Sequence, residues 1–205
     1  METIATPASQ VQSFGPGGQR YAANLTGGVI LITGSKQQAF FDIAESAPGI
    51  WNKALTNLKE AGKIGNSMTF EAMQYGIRFV KLDGTVATAA ELAALAAYVA
   101  SCRVELFIGS NSTKIFEMDG AHLQNVINGA SIDANSVLAP VNNSAWVSLP
   151  AGLGLVQGLA PNTEISGLLS CFIPTGTPAA ISSADPAAPK WAFKFVMAGI
   201  KQTKT

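Results

Sequence analysis

Residues 101–120 read SCRVELFIGSNSTKIFEMDG and predict a β-hairpin. In the first run, CRVELFI, apolar side chains alternate with Arg103 and Glu105, which is the period of two expected of a half-buried strand. The residues GSNS at 109–112 supply a turn, and alternation resumes in TKIFEMD on the way back. This strand pair is the clearest in the chain and favours a structure built mainly from β-strands.

The residues just before the hairpin predict one helix, at residues 88–100. Thr88 and Glu91 have the spacing of a capping box, in which each side chain accepts from the other residue's main-chain N–H. Leu92, Leu95 and Val99 then recur at helical intervals. The helix runs straight into the hairpin, so it connects two strands of a largely antiparallel structure.

Strand patterns also occur on both sides of this unit. Upstream they are QRYAANL, VILIT and AFFDI, with a break at Gly27 and Gly28, and then MTFEAMQYGIRFVKL, in which Gly76 marks a bulge or bend. Downstream they lie at residues 146–149, 164–173 and 191–197. We therefore expect a mainly β protein with a single antiparallel β-sandwich domain at residues 19–199. A flexible or partner-ordered arm at residues 1–18 and a C-terminal tail at residues 200–205 flank it.

The composition indicates a protein that hides much of its surface. Of 205 residues, 48% are hydrophobic and only 13% are charged, against roughly 25% charged residues in an average soluble domain. Such a surface suits self-assembly, the alternative being a weakly charged monomer. Two loops, at residues 121–145 and 174–189, are long and rich in Asn, Ala or Pro. We expect these loops and the arm at residues 1–18 to carry subunit contacts.

The charge distribution argues against strong nucleic-acid binding. Thirteen basic residues balance thirteen acidic ones, so the formal net charge is zero and no overall field attracts a polyanion. Residues 1–19 contain no Lys or Arg, which removes both a basic arm and the charged start of a signal peptide. The apolar runs are shorter than the roughly 20 residues of a membrane span. The sequence thus predicts a soluble protein made in the cytoplasm.

No catalytic constellation is visible, so we expect no enzyme activity and no catalytic, cofactor-binding or metal-ligating residues. The single histidine, His122, cannot build a clustered-histidine metal site, and no GxSxG motif presents a serine nucleophile. GGVILITGSK and GLGLVQG lack the glycine spacing of phosphate-binding loops. Cys102 and Cys171 lie in predicted strands, where free core thiols are favoured over a disulfide.

Three segments in this order resemble one protein family. They are TNLKEAGKIGNSMTFEAMQYGIRFVKL at residues 56–82, CRVELFIGSNSTKIFEMDGAHL at 102–123 and APNTEISGLLSCFIP at 160–174. The pattern is similar to that of the jelly-roll capsid proteins of tailless icosahedral bacteriophages, many of which enclose a membrane.

The resemblance implies a single jelly roll of eight strands. It also implies assembly into trimers or pseudo-hexamers of a virion shell after synthesis in the host cytoplasm. The implied partners are copies of the chain, other virion proteins and an internal membrane, and no cofactor is implied.

The alternative function is a lectin-like or host-attachment binding module of the same β-sandwich class. Such a module places exposed aromatic rings against sugars. Trp51 and Trp146 are the candidates for that role, because Trp191 begins a strand with a core pattern.

Overall fold

A computed structural model describes residues 12–13, 18–47, 52–120, 146–148 and 159–204. Within these residues the chain forms nine strands and two helices, so the fold is mainly β, as predicted. The strands are β1 (Gln12–Ser13), β2 (Gly18–Ile30), β3 (Gln37–Phe40), β4 (Met68–Lys81), β5 (Cys102–Ile108), β6 (Thr113–Asp119), β7 (Trp146–Ser148), β8 (Ile165–Cys171) and β9 (Trp191–Lys204). The helices are α1 (Asn52–Leu55) and α2 (Ala89–Ala100).

The strands form two antiparallel sheets. Sheet 1 has the order β1-β2-β9-β4-β7, and sheet 2 has the order β3-β8-β5-β6. The predicted β5–β6 hairpin is confirmed and stays within sheet 2. Every connection from β2 to β5 and from β6 to β9 crosses from one sheet to the other.

Aromatic rings from both sheets fill the space between them. The ring of Phe40 in β3 lies with its centroid 5.1 Å from that of Phe193 and 5.6 Å from that of Phe195, both in β9. In the same cluster, Phe116 in β6 packs edge-on against Tyr75 in β4 at 4.6 Å. Offset and edge-on pairs at these distances are the favoured aromatic arrangements. The two sheets therefore pack face to face around one core.

Helix α2 confirms the predicted capping box. Thr88 Oγ1 accepts from the Glu91 N–H, and the Glu91 carboxylate accepts from the Thr88 N–H. The helix buries Leu95, Tyr98 and Val99 against the core and delivers the chain into β5. Among the helices of the described segments, none is long and apolar enough to cross a membrane.

The predicted break at Gly27 and Gly28 is wrong, because β2 runs through both residues and pairs with β9 along its whole length. Gly27 leaves the space that the Phe41 ring occupies, and Gly28 lies against the main-chain oxygens of Phe193 and Leu55. Both glycines thus allow close packing within a continuous strand. In the sequence alone, a Gly-Gly pair with this role looks the same as a strand break.

The irregularity predicted at Gly76 lies instead at Met73. β4 pairs with β9 on both sides of Gly76 without interruption, and the register shifts between Ala72 and Gln74. A β-bulge places one extra residue in one strand and turns its side chain outward. Met73 is this extra residue, and its side chain is 57% exposed.

The C-terminal tail predicted at residues 200–205 is also corrected, since β9 continues to Lys204. Thr203 pairs with Gln19 of β2 and with Met68 of β4, so main-chain bonds on both sides hold this polar end of the strand. Of the predicted arm at residues 1–18, Gln12–Ser13 fold back as β1 onto Arg20 and Gln19.

Candidate interaction surface

The outer face of sheet 2 is ionic. Lys114 donates to Glu105 at 3.0 Å and also to Glu117, while Arg103 lies 3.4 Å from Glu117. Hydrogen bonds with Glu117 and then with Glu105 raise the pKa of Lys114. The pairs of Glu117 with Lys114 and Arg103, whose side chains are 40–44% exposed, contribute little to stability. This face has the character of a solvent-facing surface.

The outer face of sheet 1 carries an open groove of different character. It has a volume of about 660 Å³ and lies across β2, β9 and β4. None of the eight residues that line it is charged or aromatic; they are Ala22, Ala23, Asn24, Met73, Gln74, Ala198, Gly199 and Ile200. Small side chains form its floor, and Met73 stands at its wall.

The bulge at Met73 borders this groove. A side chain at Gly199 would overlap the main-chain oxygen of Glu71, so β4 and β9 approach each other closely at this point. Met73, the extra residue of β4, lines the groove together with the small residues Ala22 and Ala198. Sequence reasoning missed the groove because its residues come from three strands that are distant along the chain.

A pair of cations lies further along the same face. Arg78 of β4 is directly opposite Lys194 of β9. Burial lowers the pKa of both side chains, and the charge of Arg78 lowers that of Lys194 further. Like charges directly opposite each other in a sheet are unfavourable.

The loop at residues 174–189 is held by hydrogen bonds and packing within the same chain. Thr177 donates from its main-chain N–H and from its hydroxyl to the carbonyl of Ser35, and Ser182 shares a 2.9 Å hydrogen bond with Thr33. Ile181 is fully buried beside them. The length of this loop is thus explained by its packing on the sandwich, so it is a weaker candidate for subunit contacts than the sequence suggested.

The remaining sequence candidates fall in different places. His122, Trp51 and the loop at residues 121–145 lie outside the described residues, and for Trp146 the structure describes the main chain only. Trp191 is buried in the core, as predicted. Cys102 and Cys171 are free and buried, also as predicted. In the described part of the chain, no group of three or more His, Cys, Asp or Glu residues has the placement of a metal site.

Comparison with known proteins identifies no relative. No protein-family model matches the chain, and a search against curated proteins finds no match either.

Proposed function

We propose that this protein is a capsid shell subunit with a single jelly-roll fold that assembles into trimers or pseudo-hexamers of an icosahedral bacteriophage. The observation that carries the proposal is the order of the strands in the two sheets. The resemblance of three sequence segments to phage capsid proteins and the scarcity of charge support it further.

The pairing of the strands supports a jelly roll. β5 pairs with β6, β4 with β7, β3 with β8 and β2 with β9, so the two halves of the chain form one long antiparallel ribbon. The ribbon folds over itself, which brings β4 beside β9 and β5 beside β8. Eight strands in two sheets, wound in this way, are the defining feature of a jelly roll.

The character of the groove favours a protein contact over a sugar site. Jelly rolls occur in viral capsid proteins and in lectins, so the fold alone does not choose between them. A sugar site needs exposed aromatic rings, and none of the described residues that line the groove is aromatic. An uncharged groove of small side chains instead suits the burial of another protein surface, because no ion has to lose its water.

The contact we propose is between this groove and a second copy of the chain. Symmetric assemblies follow when one such contact repeats around an axis. Of the arm at residues 1–18, Gln12–Ser13 pair with β2 and so extend the edge of sheet 1, the sheet whose outer face carries the groove. Other virion proteins and an internal membrane are the further partners that a shell subunit of this class meets.

Negative-stain microscopy and size-exclusion chromatography of two matched variants test the proposal. Met73→Glu places a charge in the groove, whereas Val86→Glu places the same charge on a side chain of equal exposure outside it, at 60% against 57%. We expect rings or shells from the parent and from Val86→Glu, and smaller species from Met73→Glu. A parent protein that forms no assembly would contradict the proposed shell subunit. Equal assembly of the two variants would contradict the proposed contact at the groove.

A further inference from the structure

Cys102 and Cys171 face each other directly across β5 and β8. The register of these antiparallel strands pairs the two residues with each other. Both side chains point into the core between the sheets and are almost fully buried. The two cysteines are separated by about 70 residues of chain, so their proximity is a product of the fold.

Main-chain hydrogen bonds show which kind of antiparallel β-sheet pair Cys102 and Cys171 form. The N–H of Cys171 donates to Lys36, away from β5, while the next N–H, that of Phe172, donates to Ser101, toward β5. Because these directions alternate along a strand, Cys102 and Cys171 are a non-hydrogen-bonded pair, in which the Cα atoms lie about 4.5 Å apart. A disulfide accepts Cα separations of roughly 4.4–6.8 Å. Besides burial, Cys171 acts to raise the pKa of the Cys102 thiol, as expected of two thiols that face each other.

Neighbouring groups enclose the two thiols. The Tyr98 hydroxyl hydrogen-bonds to Cys102 and to Thr177, and both of these partners are buried. Burial raises the pKa of the Cys102 thiol, so little thiolate is present in the closed fold. A thiolate is the species that reacts with an oxidant, and oxidation therefore accompanies folding or transient opening of the sheet.

We propose that Cys102 and Cys171 are a redox-dependent staple, which forms a cross-strand disulfide when the protein meets an oxidising disulfide compound. The thiolate of one cysteine attacks oxidised glutathione, forms a mixed disulfide and releases one glutathione thiolate. The second cysteine then attacks the protein sulfur of that mixed disulfide and releases the other glutathione. Two protein thiols lose two protons and two electrons, and one glutathione disulfide becomes two thiols.

The staple links the second and third strands of sheet 2 and closes a loop of about 70 residues. Closure of a loop of this length restricts the unfolded chain far more than the folded one. The equilibrium constant for forming the disulfide is larger in the folded protein than in the unfolded chain. By thermodynamic linkage, the ratio of these two constants equals the factor by which the disulfide raises the folding equilibrium constant. We expect this factor to be on the order of a hundredfold.

The test refolds the full chain in glutathione buffers of graded redox ratio, beside the same chain kept in denaturant. Mass spectrometry after acid quenching measures the disulfide, which removes about 2 Da, the mass of two hydrogens. We expect the folded chain to form the disulfide at a ratio of oxidised to reduced glutathione about a hundredfold lower than the ratio that the denatured chain needs. The oxidised protein should melt on the order of 10 °C higher, and reduction should reverse this shift.

Cys102→Ala and Cys171→Ala are the controls, because neither variant can lose two hydrogens. The proposal would be overturned if the glutathione ratios needed by the folded and denatured chains differed by less than about tenfold. A disulfide that joins two chains, or an oxidised protein that melts at a lower temperature than the reduced one, would overturn it as well. The measurement needs no variant to fold, since its main comparison uses the parent sequence in both states.

Discussion

Replacement of Glu91 by Gln should remove a buried ion pair that fastens helix α2 to the end of β4. The Nζ atom of Lys81 donates to both Glu91 carboxylate oxygens at 2.8 Å. The side chains of Lys81 and Glu91 are only 7% and 14% exposed. The amide of Gln keeps the shape of Glu and one acceptor for the Thr88 N–H, so the variant removes mainly the charge.

The size of the effect follows from two independent estimates. Burial acts to raise the pKa of Glu91, but hydrogen bonds from Lys81 and Thr88 outweigh it and lower this pKa from 4.5 to about 2. That difference corresponds to about 3 kcal/mol. Loss of one partner from a buried pair costs roughly 3–5 kcal/mol. In Glu91→Gln, however, the Asp83 carboxylate still lies 3.7 Å from Lys81 and partly compensates the charge of the Lys81 ammonium. We therefore expect a loss of about 2 kcal/mol in the free energy of unfolding.

The loss should depend on pH in a defined direction. A carboxylate whose pKa is lowered by folding stabilises the fold above its unfolded pKa, here 4.5, and loses that effect as the pH falls toward its folded pKa of about 2. The difference between the parent and Glu91→Gln should thus be full near neutral pH and shrink between these two values.

Urea denaturation followed by circular dichroism, repeated over this pH range, measures the difference. Glu45→Gln is the matched control, because its partner Lys59 is 80% exposed and such pairs contribute less than about 1 kcal/mol. Equal stability of the parent and Glu91→Gln near neutral pH would refute the reasoning. A difference that persists unchanged at the acidic end would show that the charge of Glu91 is not its source.

Four further substitutions test the packing and the chemistry. Thr88→Ala removes the acceptor for a main-chain N–H at the helix start and should lower the free energy of unfolding by about 1 kcal/mol in the same assay. Gly27→Ala drives a methyl group into the ring of Phe41, whose φ of 70° is already strained, and should cost about 1–3 kcal/mol. Gly65→Ala meets only the Cβ atom of Met68, at an ordinary contact distance of 4.0 Å, and should stay within about 0.5 kcal/mol of the parent, so equal effects of the two alanines would contradict this packing. His122→Gln should assemble like the parent, and one metal ion per chain in elemental analysis would revive an enzymatic function.

The parts of the fold that the sequence predicted depend on local patterns. In the β5–β6 hairpin, burial alternates from Cys102 to Leu106 ahead of a turn cluster, and the capping box at Thr88 needs only four consecutive residues. Each pattern records a contact between neighbours in the chain. Such contacts form in the same way whatever the rest of the protein does.

The errors concern features that depend on distant residues. Gly27 resembles a strand break until the ring of Phe41 is placed over it, and Gly76 resembles a bulge although β9 pairs with it normally. The end of β9 lacks apolar alternation, and the main-chain bonds to two distant strands that hold it leave no local pattern in the sequence. The groove at Met73 was missed for the same reason, since three separate strands have to meet before it exists.

Sedimentation velocity of the purified full chain over a wide range of concentration tests the proposed shell subunit most directly. We expect trimers or larger ring-like species that grow with concentration, because the scarce charge and the uncharged groove allow a surface to be buried at little cost in desolvation. A chain that sediments as a monomer at every concentration, salt level and pH would contradict the capsid function and favour the binding module.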